Sequence, residues 1–174
     1  MNWGCGSYTL DGWFNSDLKD DTGIDLSGDI RDGLGLPDET FDYIVSVHAL
    51  PMISIPDLPT ALRELRRVLR PGGTLRLCLP DFDRAINAYR AGDRDYFLVP
   101  DADEPTLSGK LVTQLLWYGW STTLFTSEWT ESLLDRTGFA QVDHCSFGVS
   151  ASNWAGICEL DNREHESFFI EARR

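Results

Sequence analysis

Hydrophobic and polar positions follow two rhythms along the first half of the chain. Phe41 to Val47 (Phe-Asp-Tyr-Ile-Val-Ser-Val) is β-branched and mostly apolar, as a strand buried on both faces should be. Leu58, Leu62, Leu65 and Leu69 then fall at spacings of four, three and four, which line one face of a helix. Arg63, Glu64, Arg66, Arg67 and Arg70 take the opposite side, with basic residues crowding the last turn, where they favour the helix dipole. Pro71-Gly72-Gly73 is expected to stop this helix and turn the chain. Leu75, Leu77 and Leu79 alternate in a following strand over 74–79. Two shorter strands are predicted before these, at 1–4, running into a glycine turn, and at 12–17, ending in an acid. Strand, helix and strand joined by short connections imply an α/β fold, a doubly wound and mostly parallel sheet with crossover helices.

The second half changes pace. Phe82, Ile86 and Tyr89 suit a helix closed by Gly92, and residues 93–105 read as an acidic loop. Leu107, Leu111 and Leu115 predict another helix, leading into Trp117-Tyr118-Gly119-Trp120. Thr126 or Ser127 caps a further helix, with Glu128 in its first turn and Gly138 just past its end. Residues 140–147 and 167–173 read as closing strands, including an antiparallel one. A single domain over 1–174 results, in which 82–125 is a helical and loop insertion, placed before the last helix and covering the active-site edge of the sheet. For Trp117, Tyr118 and Trp120, ordinary core packing is the first reading and a cover over a pocket mouth the second.

Charge narrows the choice of partners. Across 174 residues, 15 Lys and Arg face 28 Asp and Glu, a formal net charge of −13. Such a field repels phosphate backbones and anionic lipid heads, so neither nucleic acid nor a membrane surface is an expected partner. Cys5, Cys78, Cys145 and Cys158 lie far apart without a C-x-x-C pair, which removes the zinc-ribbon, thioredoxin and disulfide-framework readings. No apolar run approaches the ~20 residues of a membrane helix, and the first residues carry no secretory pattern. A cytoplasmic location is the expectation.

Chemistry concentrates at the amino end. Asn2-Trp3-Gly4-Cys5-Gly6 is followed by Asp17, eleven residues after Gly6. Glycines after a first strand let the backbone pass close to a ligand, and an acid ending the second strand can accept hydrogen bonds from both hydroxyls of a ribose. This describes a site for an adenosine-bearing cofactor, with a tight turn and a turn acid as the plain alternative. The dinucleotide fingerprint is incomplete, because position 9 holds Thr9, and no Lys or Arg stands in the first eighteen residues to balance a pyrophosphate. A cofactor without phosphates fits better. S-adenosylmethionine is one, and its positive sulfonium is not opposed by an acidic protein.

Asn2–Gly6, Gly12–Asp17, Leu36-Pro37-Asp38-Glu39-Thr40-Phe41-Asp42-Tyr43-Ile44, Val68-Leu69-Arg70-Pro71-Gly72-Gly73-Thr74-Leu75 and Leu79-Pro80-Asp81 occur in this order. The series resembles the class I S-adenosylmethionine-dependent methyltransferases of the small-molecule, type 11-like kind, over most of residues 1–90, and weakly again at 133–139 and 167–172. The resemblance implies a Rossmann-like fold and a small-molecule or glycan-precursor substrate. It implies that Asn2, Gly4, Cys5 and Gly6 meet the cofactor, with the Gly4–Gly6 backbone beneath its methionine part. It implies further that Asp17 holds the ribose, that Leu18, Asp29 and Ile30 meet the adenine, and that His48 and Ala49 line the methyl side. His48 is the candidate proton acceptor, with a structural imidazole as the alternative. Asp81 and Tyr89 are weaker candidates to face substrate, and no metal site is expected, since His144 and His165 lack a ligand pattern. Two departures stand out. Pro51-Met52 replaces the Glu-His common after the fourth strand, and the helix usual before the first strand is absent from these residues. Either the natural chain has residues before Met1 that supply this helix, or one sheet face is left for another subunit to cover, which would make a homodimer plausible. The competing functions are a non-catalytic binding protein on the same fold and a nicotinamide-dependent oxidoreductase, the latter opposed by the missing third glycine.

Overall fold

The computed structural model describes residues 1–174. Its centre is one seven-stranded sheet built from β1 (Asn2–Trp3), β2 (Asn15–Asp17), β3 (Leu26–Ser27), β4 (Phe41–Val47), β5 (Leu69–Pro80), β6 (Gln141–Cys145) and β7 (Ser167–Arg173). Their order across the sheet is β3-β2-β1-β4-β5-β7-β6. The first five strands run parallel, and β7 is antiparallel to both β5 and β6. The α/β, mostly parallel architecture is therefore the one expected from the alternation of elements.

Helix α1 (Leu58–Val68) buries Leu58, Ala61, Leu62, Leu65 and Val68 against one face of the sheet. There they join Trp3, Ile44, Leu75, Leu77 and Leu79 in the main core, together with Leu133 and Leu134 of α4 (Ser127–Arg136). The boundary after α1 differs from the expectation. Leu69 is already extended and pairs with Phe41, so β5 begins two residues ahead of Pro71. A residue preceding proline is driven out of the helical region, and here the ladder with β4 takes up the freed backbone. The register shifts between Phe41 and Tyr43, where the Pro-Gly-Gly segment is accommodated inside the strand.

The opposite face is covered from within the chain. Ile157 and Leu160 pack on Val45, with Trp13, Tyr43 and Val47 around them. Arg76, fully buried on that face of β5, pins this cover. Its guanidinium bonds the carboxylates of Asp161 (2.9 Å from Nε) and Glu171 (2.7 Å), and the carbonyls of Ser146 and Val149. The irregular connection between β6 and β7 thus occupies the face expected to await a partner subunit, and that ground for a homodimer falls.

Residues 82–125 form a small annex. α2 (Phe82–Ala91) ends in the left-handed Gly92, as anticipated, and α3 (Leu107–Leu116) packs on it around Ala85, Ala88, Tyr96 and Phe97. Trp117, Tyr118 and Trp120 lie outside the core. Trp120 is 60% exposed and Tyr118 52%, because the backbone turns left-handed at Trp117 and Tyr118 and swings the rings outward. No helix is long and apolar enough to cross a membrane.

Candidate functional site

A cavity of about 510 Å³ opens at the carboxyl ends of the parallel strands. This volume lies within the ~300–1,000 Å³ usual for small-ligand sites, at the edge where open α/β sheets place their ligands. Gly4, Cys5, Gly6, Asp17, Leu18, Asp29, Ile30, His48 and Ala49 all stand on its wall.

The floor is set by the turn after β1. Gly4 N and Cys5 N both donate to Ser16 O, at 2.7 and 3.1 Å, which draws the turn tightly beside β2. Gly4 has φ +69, and a Cβ there would lie 2.1 Å from the Ala49 Cβ, so only glycine lets this strand end approach residue 49. Gly6 also has positive φ but has nothing within 4 Å of its missing Cβ, so that side of the turn is open. Asp17 closes the turn from β2. Its Oδ2 accepts the Gly6 N–H at 2.7 Å and its Oδ1 the Lys19 N–H at 3.3 Å. Each oxygen keeps a lone pair for a further donor. Burial, followed by the charge of Asp17, pushes the Cys5 thiol up to about 11, so Cys5 is no nucleophile at neutral pH.

Asn2 corrects one expectation. Its side chain is buried beneath the turn, donating to Tyr8 O at 2.9 Å and Asn15 Oδ1 at 3.0 Å, and it does not reach the large cavity. Alternation along β1 explains this, since Trp3 takes the main-core face and Asn2 the other. Asn2 shapes the loop that faces the cavity.

Asp29 is already engaged. Its carboxylate caps the turn at Ile30–Asp32 through Arg31 N and grips the Arg31 guanidinium through Nε at 2.9 and 3.0 Å. These bonds hold its carboxyl below the ordinary value. Lys19 and Arg31 therefore bring two cations to the wall. The Lys19 ammonium lies 5.7 Å from the centre of the Trp120 ring, linking the amino-terminal loop to the annex across the mouth.

His48 sits just past β4 in a left-handed backbone conformation, φ 54, a strained state that persists where the surroundings impose it. Its Nε2 lies 2.7 Å from Ser167 Oγ. Burial, reinforced by the positive charge of Arg163, pushes its pKa down to about 3. The imidazole is neutral near pH 7 and a weak base there, which favours the structural-imidazole alternative over the proton acceptor. Tyr89 is off the wall, whereas Asp81 is on it, with one oxygen capping α2 through Arg84 N.

Several wall residues carry no sequence motif: Tyr8, Tyr96, Gln114, Arg163 and Glu166. Burial pushes the Tyr96 hydroxyl up to about 12, so it remains protonated. A topological signal for Arg163 and Glu166 did exist. An antiparallel β7 must start at the carboxyl edge, and Ser167 indeed pairs with Pro80. No group of three or more His, Cys, Asp or Glu side chains has the arrangement of a metal site.

Known proteins align with this geometry. Residues 2–77 match the family described as "Methyltransferase domain". A demethylmenaquinone methyltransferase of Staphylococcus carnosus is 32% identical over 129 residues, covering 72% of this chain and 52% of that protein. The chain spans about half or less of the length of the curated relatives it matches, from 4% to 52%. A SAM-dependent methyltransferase from Archaeoglobus fulgidus superposes with TM-score 0.59 at 12% identity, over 99% of this chain and 84% of that one. One from Mesorhizobium loti superposes with TM-score 0.53 at 20% identity, over 99% and 89%. The matched residues hold the glycine turn, Asp17 and most of β5, so residues 2–77 are similar to that methyltransferase family, and the sheet they help to build has the fold those structures share.

Proposed function

We propose that this chain binds S-adenosylmethionine in the cavity at the carboxyl edge and carries out methyl transfer to a small molecule held against the annex. The observation that carries the reading is the glycine turn with its open side at Gly6, facing the two available lone pairs of Asp17. When bound, S-adenosylmethionine supplies a methyl group on a positively charged sulfur. The residues fit it without phosphate-binding machinery. Asp17 accepts the ribose hydroxyls, and Leu18 and Ile30 offer apolar contact to the adenine. Asp29 meets the adenine amine through whatever capacity its pairing with Arg31 leaves. The backbone of Gly4 to Gly6 supports the methionine portion, and Ala49 with neutral His48 borders the methyl. An uncharged imidazole there does not repel a sulfonium. The annex wall excludes water and aligns the acceptor, the main requirement of an in-line displacement. That a relative is named for demethylmenaquinone supports a small-molecule acceptor.

Calorimetry with S-adenosylhomocysteine tests this directly. Micromolar or tighter binding is expected for the wild type, and Asp17→Ala is expected to weaken it about a hundredfold or more, since two hydrogen bonds to a charged group at ~1.5–3 kcal/mol each are lost. Silence with the wild type, or unchanged affinity in the variant, defeats the proposal. Binding of the cofactor without turnover of any acceptor would favour the non-catalytic reading, and NADH binding in its place the oxidoreductase.

A further inference from the structure

Part of the cavity wall is not used by the cofactor reading. Met52, Ile53, Leu115, Trp117 and Trp120 give it apolar and aromatic surface. Arg163 and Glu166 line the same cavity just ahead of β7. Glu166 is only 5% exposed, and its Oε1 accepts from Arg163 Nη1 at 3.1 Å. Its Oε2 has no protein partner, and Arg163 uses no other nitrogen. The Glu166 backbone is fixed as well, its carbonyl accepting the Asp81 N–H at 2.9 Å. That oxygen is a free acceptor on a residue of the cavity wall.

Charge selects among ligands. The wall carries the carboxylates of Asp17, Asp29, Asp81 and Glu166 against Lys19, Arg31 and Arg163, a net of −1 with His48 neutral. A bound sulfonium cofactor, itself a net single positive charge, brings the chamber to neutrality. An acceptor bearing a net charge would then leave that chamber with an uncompensated charge.

We propose that the acceptor is an uncharged, apolar or aromatic small molecule whose hydroxyl donates to Glu166 Oε2, with Arg163 holding that carboxylate in place. Glu166 is thereby a positioning and specificity residue, and phosphorylated, carboxylated or ammonium-bearing acceptors are excluded. The inference rests on the cofactor reading above.

The test uses the protein loaded with sinefungin, in which a charged amine stands where the sulfonium methyl would be. Three probes of one shape are titrated into it: 4-phenylphenol, biphenyl-4-carboxylate and 4-phenylbenzylammonium. The phenol is expected to bind at least about tenfold more tightly than either ion, the equivalent of ~1.4 kcal/mol or more. Glu166→Gln should weaken the phenol about fivefold, since a charge-assisted hydrogen bond is roughly twice as strong as a neutral one, and leave sinefungin affinity unchanged. Arg163→Gln, at a half-exposed position, should move the preference toward the ammonium probe. Sinefungin binding with no phenol binding, with an ion preferred, or with both variants indifferent overturns the assignment. Failure of sinefungin itself to bind instead sinks the cofactor reading.

Discussion

Adding one methyl group at Gly4 probes the closest approach in the site. The new Cβ would stand 2.1 Å from the Ala49 Cβ, against the ~3.5–4.0 Å of ordinary carbon contact. Forcing the two strand ends apart by that difference is overpacking, at ~1–3 kcal/mol. A left-handed φ at a residue with a Cβ adds ~1–2 kcal/mol. Gly4→Ala should therefore lose about 2–5 kcal/mol, a large part of the ~5–15 kcal/mol that stabilises a typical domain. Gly6→Ala shares the positive φ but meets nothing within 4 Å, so only the ~1–2 kcal/mol conformational cost applies. In that variant the methyl projects into open space beside Asp17, and cofactor affinity should fall more than stability. Ala49→Gly in the Gly4→Ala background removes the collision, so the double-mutant cycle should show favourable coupling of about 1–3 kcal/mol. Urea unfolding at constant m-value reads the wild type, Gly6→Ala and the three variants of the Gly4–Ala49 cycle. Equal losses at Gly4 and Gly6, or additive behaviour of the Gly4–Ala49 pair, would refute the close-approach account.

Other consequences are as direct. Arg76→Ala strands two buried carboxylates, Asp161 and Glu171, and should cost ~3–5 kcal/mol. Proteolysis should then begin within residues 146–162, and cleavage elsewhere first would contradict the pinning role. His48 titrates near 6.5 when unfolded and near 3 when folded, so between these values the unfolded chain binds the extra proton. Stability is full above about pH 6.5 and falls as pH drops, by roughly 2 kcal/mol at pH 5 from this group alone. The difference between wild type and His48→Gln across that window measures it, and parallel pH curves would refute the burial of a neutral imidazole.

The sequence made much of this plain, unevenly. The four-three-four leucine spacing located α1, and the β-branched run of 41–47 matches β4 residue for residue. Local signals sufficed because each element buries one continuous face. Asp17 and the glycine turn were legible for a similar reason, since a backbone that must bend left-handed announces itself as glycine. Where tertiary pairing decides, the chain gave no sign. Arg76 sits among alternating leucines and reads as a solvent position, and its burial depends on two acids, one of them 85 residues later. The cover formed by 146–162 has no periodicity, because irregular backbone packs through single residues such as Ile157 and Leu160. His48 was placed at the pocket, but its weakness as a base comes from burial and from Arg163, which no local pattern encodes.

The most direct measurement is a crystal structure of the protein with S-adenosylhomocysteine. The account predicts the ribose hydroxyls within hydrogen-bond distance of both Asp17 oxygens, the amino-acid end over the Gly4–Gly6 backbone, and the sulfur pointing toward Ala49 and the annex. An adenosyl group bound elsewhere, or one that leaves Asp17 bonded only to Gly6 and Lys19, would contradict it.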